Sequence, residues 1–426
     1  MTAWDTAPRS VALVSVKRPS CSASRVSQPR GALLVLVAAM LVVLCGMVAF
    51  AVDVGVLALV KTEAQNAADA AALAGANKLL EQLRKAPIRQ GVPLQTAADL
   101  ALARLAARNF ATQNRVGSVN GELQGADIDI GYMADPSDHS QFNQPSELDT
   151  STGLASDQWP RRPYNAVRVR IRRDQNHTGG SLPFFFARVL GTNQVDLIVT
   201  ATSMFPMGTA TPQRGFLPFA YQVDQWNAFL QATGPGTVTD RNGVTVTVAD
   251  NFTVDANRND SAGITFGADG TLETKLFPDR VANGNYGTIN FSTTKVGNST
   301  NVLRDIITNA PSVANWPDLP QIQLASPQNP VTVNGDPGIS AGMEPAVQAV
   351  IGQSRVIALY STVRGEGNNT YFTIVGFAPV TLVSVDLGNG TKQITIQPRF
   401  RVDRSIEITP NANPDALYAR PALLAR

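Results

Sequence analysis

Few side chains in this sequence could do chemistry, and their spacing limits what that chemistry could be. Gly338-Ile339-Ser340-Ala341-Gly342 has the G-x-S-x-G form of a nucleophile elbow, in which a sharp strand-to-helix turn exposes a serine hydroxyl. Such a serine needs a histidine later in the chain to accept its proton. The two histidines, His139 and His177, both precede it. The pentapeptide therefore reads as a turn into a short helix at Pro345, with Ser340 near its cap. Asp255-Ala256-Asn257-Arg258-Asn259 starts like a calcium loop, but Asp260 stands where that loop needs Gly and Phe266 where it needs Glu. A polar loop is the expectation there, and cation binding stays open. Gly365-Glu366-Gly367 lacks a phosphate-binding context, and no His–Cys cluster or C-x-x-C pair offers a zinc site. The reading is a non-enzymatic chain with no catalytic, cofactor-binding or metal site and no cofactor.

The clearest patterned charge is Ala166 to Arg173, AVRVRIRR. Val167, Val169 and Ile171 face one way along a strand, and Arg168, Arg170 and Arg172 the other. An arginine row can grip an acidic partner or phosphates, or simply lie among local carboxylates in solvent. The whole-chain balance gives no help to the first reading: net charge is +2, so nucleic acid is not an expected partner. With 33 Gly and 27 Pro in 426 residues, the composition suggests turn-rich β structure. Cys21 and Cys45 lie in an N-terminal tail and an apolar run, so no disulfide is expected in the body.

These residues hang on one N-terminal element. Gly31 to Val52 carries no charge. As a helix, about 22 residues reach ~33 Å, enough to cross a bilayer's hydrocarbon core. Its Leu, Val and Phe side chains favour insertion by roughly 5 kcal/mol. Lys17, Arg18, Arg25 and Arg30 precede it and Lys61 follows, which puts the N-terminus inside and the large C-terminal part outside. The competing reading is a signal peptide cleaved after Ala51, at Ala49-Phe50-Ala51. Against it, Val54 to Val60 prolongs the helix beyond that site.

From Lys61 an alanine-rich helix continues to Lys85, with no proline before Pro87. Ala64, Ala68, Ala72 and Ala76 form one row of small residues, and Ala67, Ala71 and Gly75 another. Such rows let another backbone approach closely. That backbone could belong to the helix's own domain or to another subunit.

Gly31, the apolar span, Ala51-Val52-Asp53-Val54-Gly55, and then Gln65-Asn66-Ala67-Ala68-Asp69-Ala70-Ala71-Ala72-Leu73-Ala74-Gly75-Ala76 together resemble the N-terminal segment of TadG-like proteins of the Tad/Flp pilus-assembly group. Asn334-Gly335-Asp336-Pro337-Gly338-Ile339-Ser340-Ala341-Gly342, Ile351-Gly352-Gln353 and Gly367-Asn368-Asn369 look like the C-terminal part of some of them. The resemblance implies a bacterial inner-membrane anchor, a periplasmic body, and a part in assembling or tethering pili. Two patterns of related proteins are missing. Were Gly31 a prepilin cleavage site, Leu36 would stand where pilins carry Glu, and Asp149-Thr150-Ser151-Thr152-Gly153 lacks the last Ser of a von Willebrand A-type metal site.

The expected fold class is α+β. A disordered cytoplasmic tail (1–30) leads into a transmembrane helix (31–53) and a stalk helix (54–90). A periplasmic α+β region (91–208), pilin-like by analogy only, precedes a mainly antiparallel β-rich domain (209–410) and a tail (411–426). Within 91–208 we expect a helix over Leu94–Asn114 whose apolar side holds Ala98, Leu102 and Leu105. A strand is expected at Asp127–Tyr132, and a short buried helix at Pro183–Leu190, closed by Gly191. The expected partners are membrane lipid through 31–53 and other Tad proteins. The alternative is a membrane-tethered binding module for carbohydrate or cell-wall polymer, unrelated to pili.

Overall fold

The computed structural model describes residues 30–86, most of 88–142, 163–208 and, between 214 and 425, the elements named below. Helix α1 runs unbroken over Arg30–Lys85, about 84 Å at 1.5 Å per residue. Without an internal proline, and with alanine filling its second half, nothing interrupts its hydrogen-bond ladder. Arg84 and Lys85 close its last turn, where cations suit the negative end of the helix dipole. From Leu33 to Phe50 its side chains are exposed almost throughout, on a helix long and apolar enough to cross a membrane. From Asp53 onward one face enters the body.

Helix α2, Ala97–Thr112, begins at a capping box: the Thr96 hydroxyl accepts from Asp99 N–H, and the Asp99 carboxylate accepts from Thr96 N–H at 2.8 Å. Gly75 of α1 lies against Ala103 and Ala107, and Gly117, just past α2, lies against Val60. The helix therefore runs back along α1 toward its apolar end. Its buried side is Leu100, Ala103, Ala107 and Ala111, while Leu102 and Leu105 are exposed. That reverses the side expected from the larger apolar residues. Where the backbones pack most closely, Gly75 against Ala103 and Ala107, there is room only for small side chains.

Both helices rest beside a sheet built from β1 (Ile128–Gly131), β2 (Ala166–Arg173) and β5 (Leu197–Met204). Between β2 and β5, the short strands β3 (Leu182–Pro183) and β4 (Gln194–Val195) form a hairpin. The sheet is antiparallel throughout, with β2 central, Ile130 opposite Val167 and Val169 opposite Ala201. Val167, Val169, Ile171, Val199 and Ala201 join the α1 alanines in the core.

The rest of the chain is mainly β. Among its strands are β6 (Phe216–Gln222), β7 (Leu272–Leu276), β8 (Tyr286–Ile289), β9 (Val331–Asp336), β10 (Ser354–Arg364), β11 (Thr370–Asp386) and β12 (Gln393–Pro398). Helices α3 (Val223–Gln231), α4 (Thr300–Asn309) and α5 (Glu344–Gln348) pack with them. Pairing runs β11–β9–β8–β6–β10 and returns to β11, so five strands close a ring that leaves no free edge among them. Every pair in it is antiparallel except β6 with β10. Outside the ring, β11 continues into β12 and β7.

The rings of Phe216 and Phe377 meet edge-on at 5.4 Å and those of Tyr360 and Phe372 at 4.9 Å. Phe372 lies so close to Gly287 and Gly335 that a Cβ there would fall 2.2 and 2.6 Å from the ring. The chain finally leaves this unit: β13 (Leu423–Leu424) pairs with Met204 and Ser203 of β5 in the first sheet.

Candidate functional site

The site starts where α1 leaves its exposed apolar stretch. Asp53 is buried, and its carboxylate accepts three backbone N–H groups, from Phe185 at 2.8 Å, Phe186 at 3.0 Å and Ala187 at 2.8 Å. A carboxylate facing three amide donors makes charge-assisted hydrogen bonds, about twice as strong as neutral ones. The donors belong to the loop between β3 and β4, closed by Phe184 N–H to Asn193 C=O at 3.0 Å. Within that loop Ala187–Leu190 forms a 3-10 turn, ended by Gly191 at φ 87°. Of the buried helix expected over Pro183–Leu190 only this turn forms, Pro183 lying in β3; Gly191 closes it as expected, but it is not buried. Phe185 is 64% exposed, Phe186 46% and Val189 89%. Three backbone bonds to Asp53 hold the loop, so its side chains need not pack inward.

Above this collar, the small-residue rows of α1 meet their own domain. Ala64, Ala67, Ala68, Ala71, Ala72 and Ala76 are all fully buried. A Cβ on Gly75 would lie 3.0 Å from Val167 Cγ1 and 3.3 Å from Ala107 Cβ. Of the two readings the sequence left open, these rows follow the first.

The polar residues of α1 lie elsewhere on the helix. Gln65 Nε2 donates to Asp69 Oδ1 at 2.7 Å, and Asn66 is exposed. Gln65 and Asp69 line a groove of about 710 Å³ with Arg168, Arg170, Thr200, Thr202 and the C-terminal Leu424. The arginine row thus splits in its partners. Arg168 lies over the Phe142 ring at 4.1 Å and reaches the Thr202 hydroxyl at 3.2 Å. Arg170 pairs with Asp129, and Arg172 with Asp127 at 2.7 Å. For these last two the local-carboxylate reading holds.

Arg173, outside the alternating row, is the buried arginine of the strand. It donates to the carbonyls of Val116, Gly179 and Gly180, and burial lowers its pKa. The signal was present. Adjacent arginines at 172 and 173 cannot both lie on one face of a strand, so one had to join the valine side. His177 is held between two carboxylates, Asp174 at 2.7 Å and Asp127 at 3.1 Å. Burial alone would lower its pKa; the hydrogen bonds to Asp174 and Asp127 overcome burial and raise it.

Two family models match this part of the chain. One, described as putative Flp pilus-assembly TadE/G-like, covers residues 31–78, and the other, putative Tad-like Flp pilus-assembly, covers 58–203. Over residues 31–203 the chain is similar to Tad pilus-assembly proteins. The collar, the alanine rows and the arginine strand all fall inside these two matches, which end just before the barrel. No curated protein and no solved structure matches the chain.

Ser340 caps a 3-10 turn, Ala341–Met343, its hydroxyl accepting from Gly342 N–H at 3.3 Å. That is the bland turn expected of the pentapeptide. Asp255–Asn259, His139 and Asp149–Gly153 lie outside the described residues. Among the described residues, no group of three His, Cys, Asp or Glu is placed to hold a metal ion.

Proposed function

We propose that the chain serves Tad pilus assembly as a non-catalytic, single-pass inner-membrane protein. Residues 31–53 cross the bilayer, the N-terminal tail stays in the cytoplasm, and the body stands in the periplasm. There it tethers or positions other Tad components or the fibre through protein–protein contacts. One observation carries this reading. A single unbroken helix is bare and apolar over its first half and built into a folded body over its second. Such an element passes from membrane to body without a hinge, as a fixed post would require. The family matches supply the pilus role. Trp226 is buried against Tyr221 and Phe229, so it lends no support to the carbohydrate-binding alternative.

Deleting the gene in a piliated host should abolish or sharply reduce surface pili, and normal piliation would sink the assembly role. Protease added to spheroplasts should remove the C-terminal body and spare a tag on residue 1. A protected body would reverse the orientation.

A further inference from the structure

We propose that the β3–β4 loop is a second membrane contact, with Phe185, Phe186 and Val189 seated at the headgroup–acyl boundary beside the point where α1 emerges. The proposal rests on the reading that α1 crosses a bilayer.

Three observations place the loop there. Phe185, Phe186 and Val189 are the largely exposed apolar side chains of one short loop, which also presents an exposed arginine, Arg188. The loop is bonded through its backbone to Asp53. Asp53 directly follows the charge-free run, so with Arg30 at the inner face the outer boundary of a ~30 Å core falls near Val52. The exposed apolar surface of the loop therefore continues that of α1, which extends through Leu33–Val52 and Val54.

Aromatic side chains concentrate at this depth in membrane proteins, and a neighbouring cation suits anionic headgroups. The chemistry of the collar fits as well. A carboxylate at the boundary would be costly if left to face lipid, and here three amides satisfy it. The occupant we assign to the loop is thus lipid, and not a second copy of the chain or another protein.

Site-directed spin labelling of the full chain tests this. Cys21 and Cys45 would be replaced by Ser, single cysteines placed by Phe185→Cys and Val189→Cys, and each labelled protein put in nanodiscs of phosphatidylcholine and phosphatidylglycerol. Both positions have exposed side chains, and the bonds to Asp53 are made by the backbone, so the substitutions leave the collar intact. Labels at 185 and 189 should be several-fold less accessible to a water-soluble nickel chelate than one at the exposed Asn109→Cys, while staying open to oxygen. The native Cys45, exposed on α1, is labelled separately as a depth reference and should report hydrocarbon.

If Cys45 reports hydrocarbon while 185 and 189 are as open to nickel as 109, the loop proposal is overturned and the span survives. Shielding of 185 and 189 from both reagents means that protein covers the loop, and also overturns it. A nickel-accessible Cys45 overturns the span, and the loop's seat with it.

Discussion

Asp53 faces three N–H donors, so its charge cannot be exchanged for an amide without loss. In Asp53→Asn, one carboxylate oxygen becomes an NH2 group pointed at backbone N–H. At least one of the amides of Phe185, Phe186 and Ala187 then loses its partner. Hydrogen exchange across 184–190 should quicken in that variant while β2 keeps its protection, and unchanged exchange would mean that something else holds the loop.

His177 makes a pH-dependent contribution of definite sign. Its pKa is raised in the folded protein above the ordinary 6.5. The stabilisation is complete below the unfolded value and is lost as pH rises through the folded one. Thermal melts of the solubilised chain should therefore show His177→Gln costing more at about pH 5.5 than at about pH 8.5. A constant cost across that range would remove the imidazolium from the account. Asp53, Gln65, Asp69 and the arginines were all visible by type in the sequence. The partners of Asp53 were not, because a backbone amide more than a hundred residues away has no signature of its own.

The alanine seam between α1 and α2 is where a single added side chain should do most damage. Gly75→Leu would drive its side chain into Val167 and Ala107, and overpacking of a tight core costs about 1–3 kcal/mol. Denaturant unfolding should report that loss, whereas Leu105→Ala on the exposed side of α2 should leave the midpoint nearly unmoved. Periodicity showed that α2 is a helix but chose the wrong face, since it weighs leucine above alanine and knows nothing of how closely a neighbour lies. Strand β2 was legible from end to end because alternation and charge agree in it. Strand β6 escaped notice for the opposite reason. Its residues from Phe216 to Tyr221 are all buried, so no alternation marks it, and Pro218 argues against a strand. The proline is accommodated because the pairing of β6 with β10 shifts register between Phe216 and Ala220.

The two halves of the molecule are joined near the C-terminus as well as through the chain after β5. Tyr418–Ala419 pairs with Met207–Gly208 and with Arg401–Val402, and β13 then lies along β5. Removing residues 417–426 should free this junction and speed trypsin cleavage after the exposed Arg214, whose carbonyl accepts from Arg401. Cleavage at the wild-type rate would show that the halves hold together without it. Nothing in the sequence announced this return, because a two-residue strand carries too little pattern to read.

The bond between Asp53 and its loop has a consequence for the exposed apolar half of α1. Successive residues of a helix are turned by about 100°, so a twist or slide of α1 by even one residue would carry the carboxylate away from all three amides. The body therefore sets how the exposed apolar half of α1 is turned and how far it projects. Around the helix, each face of that half points in a direction fixed relative to the first sheet, and any partner meets one defined side of it.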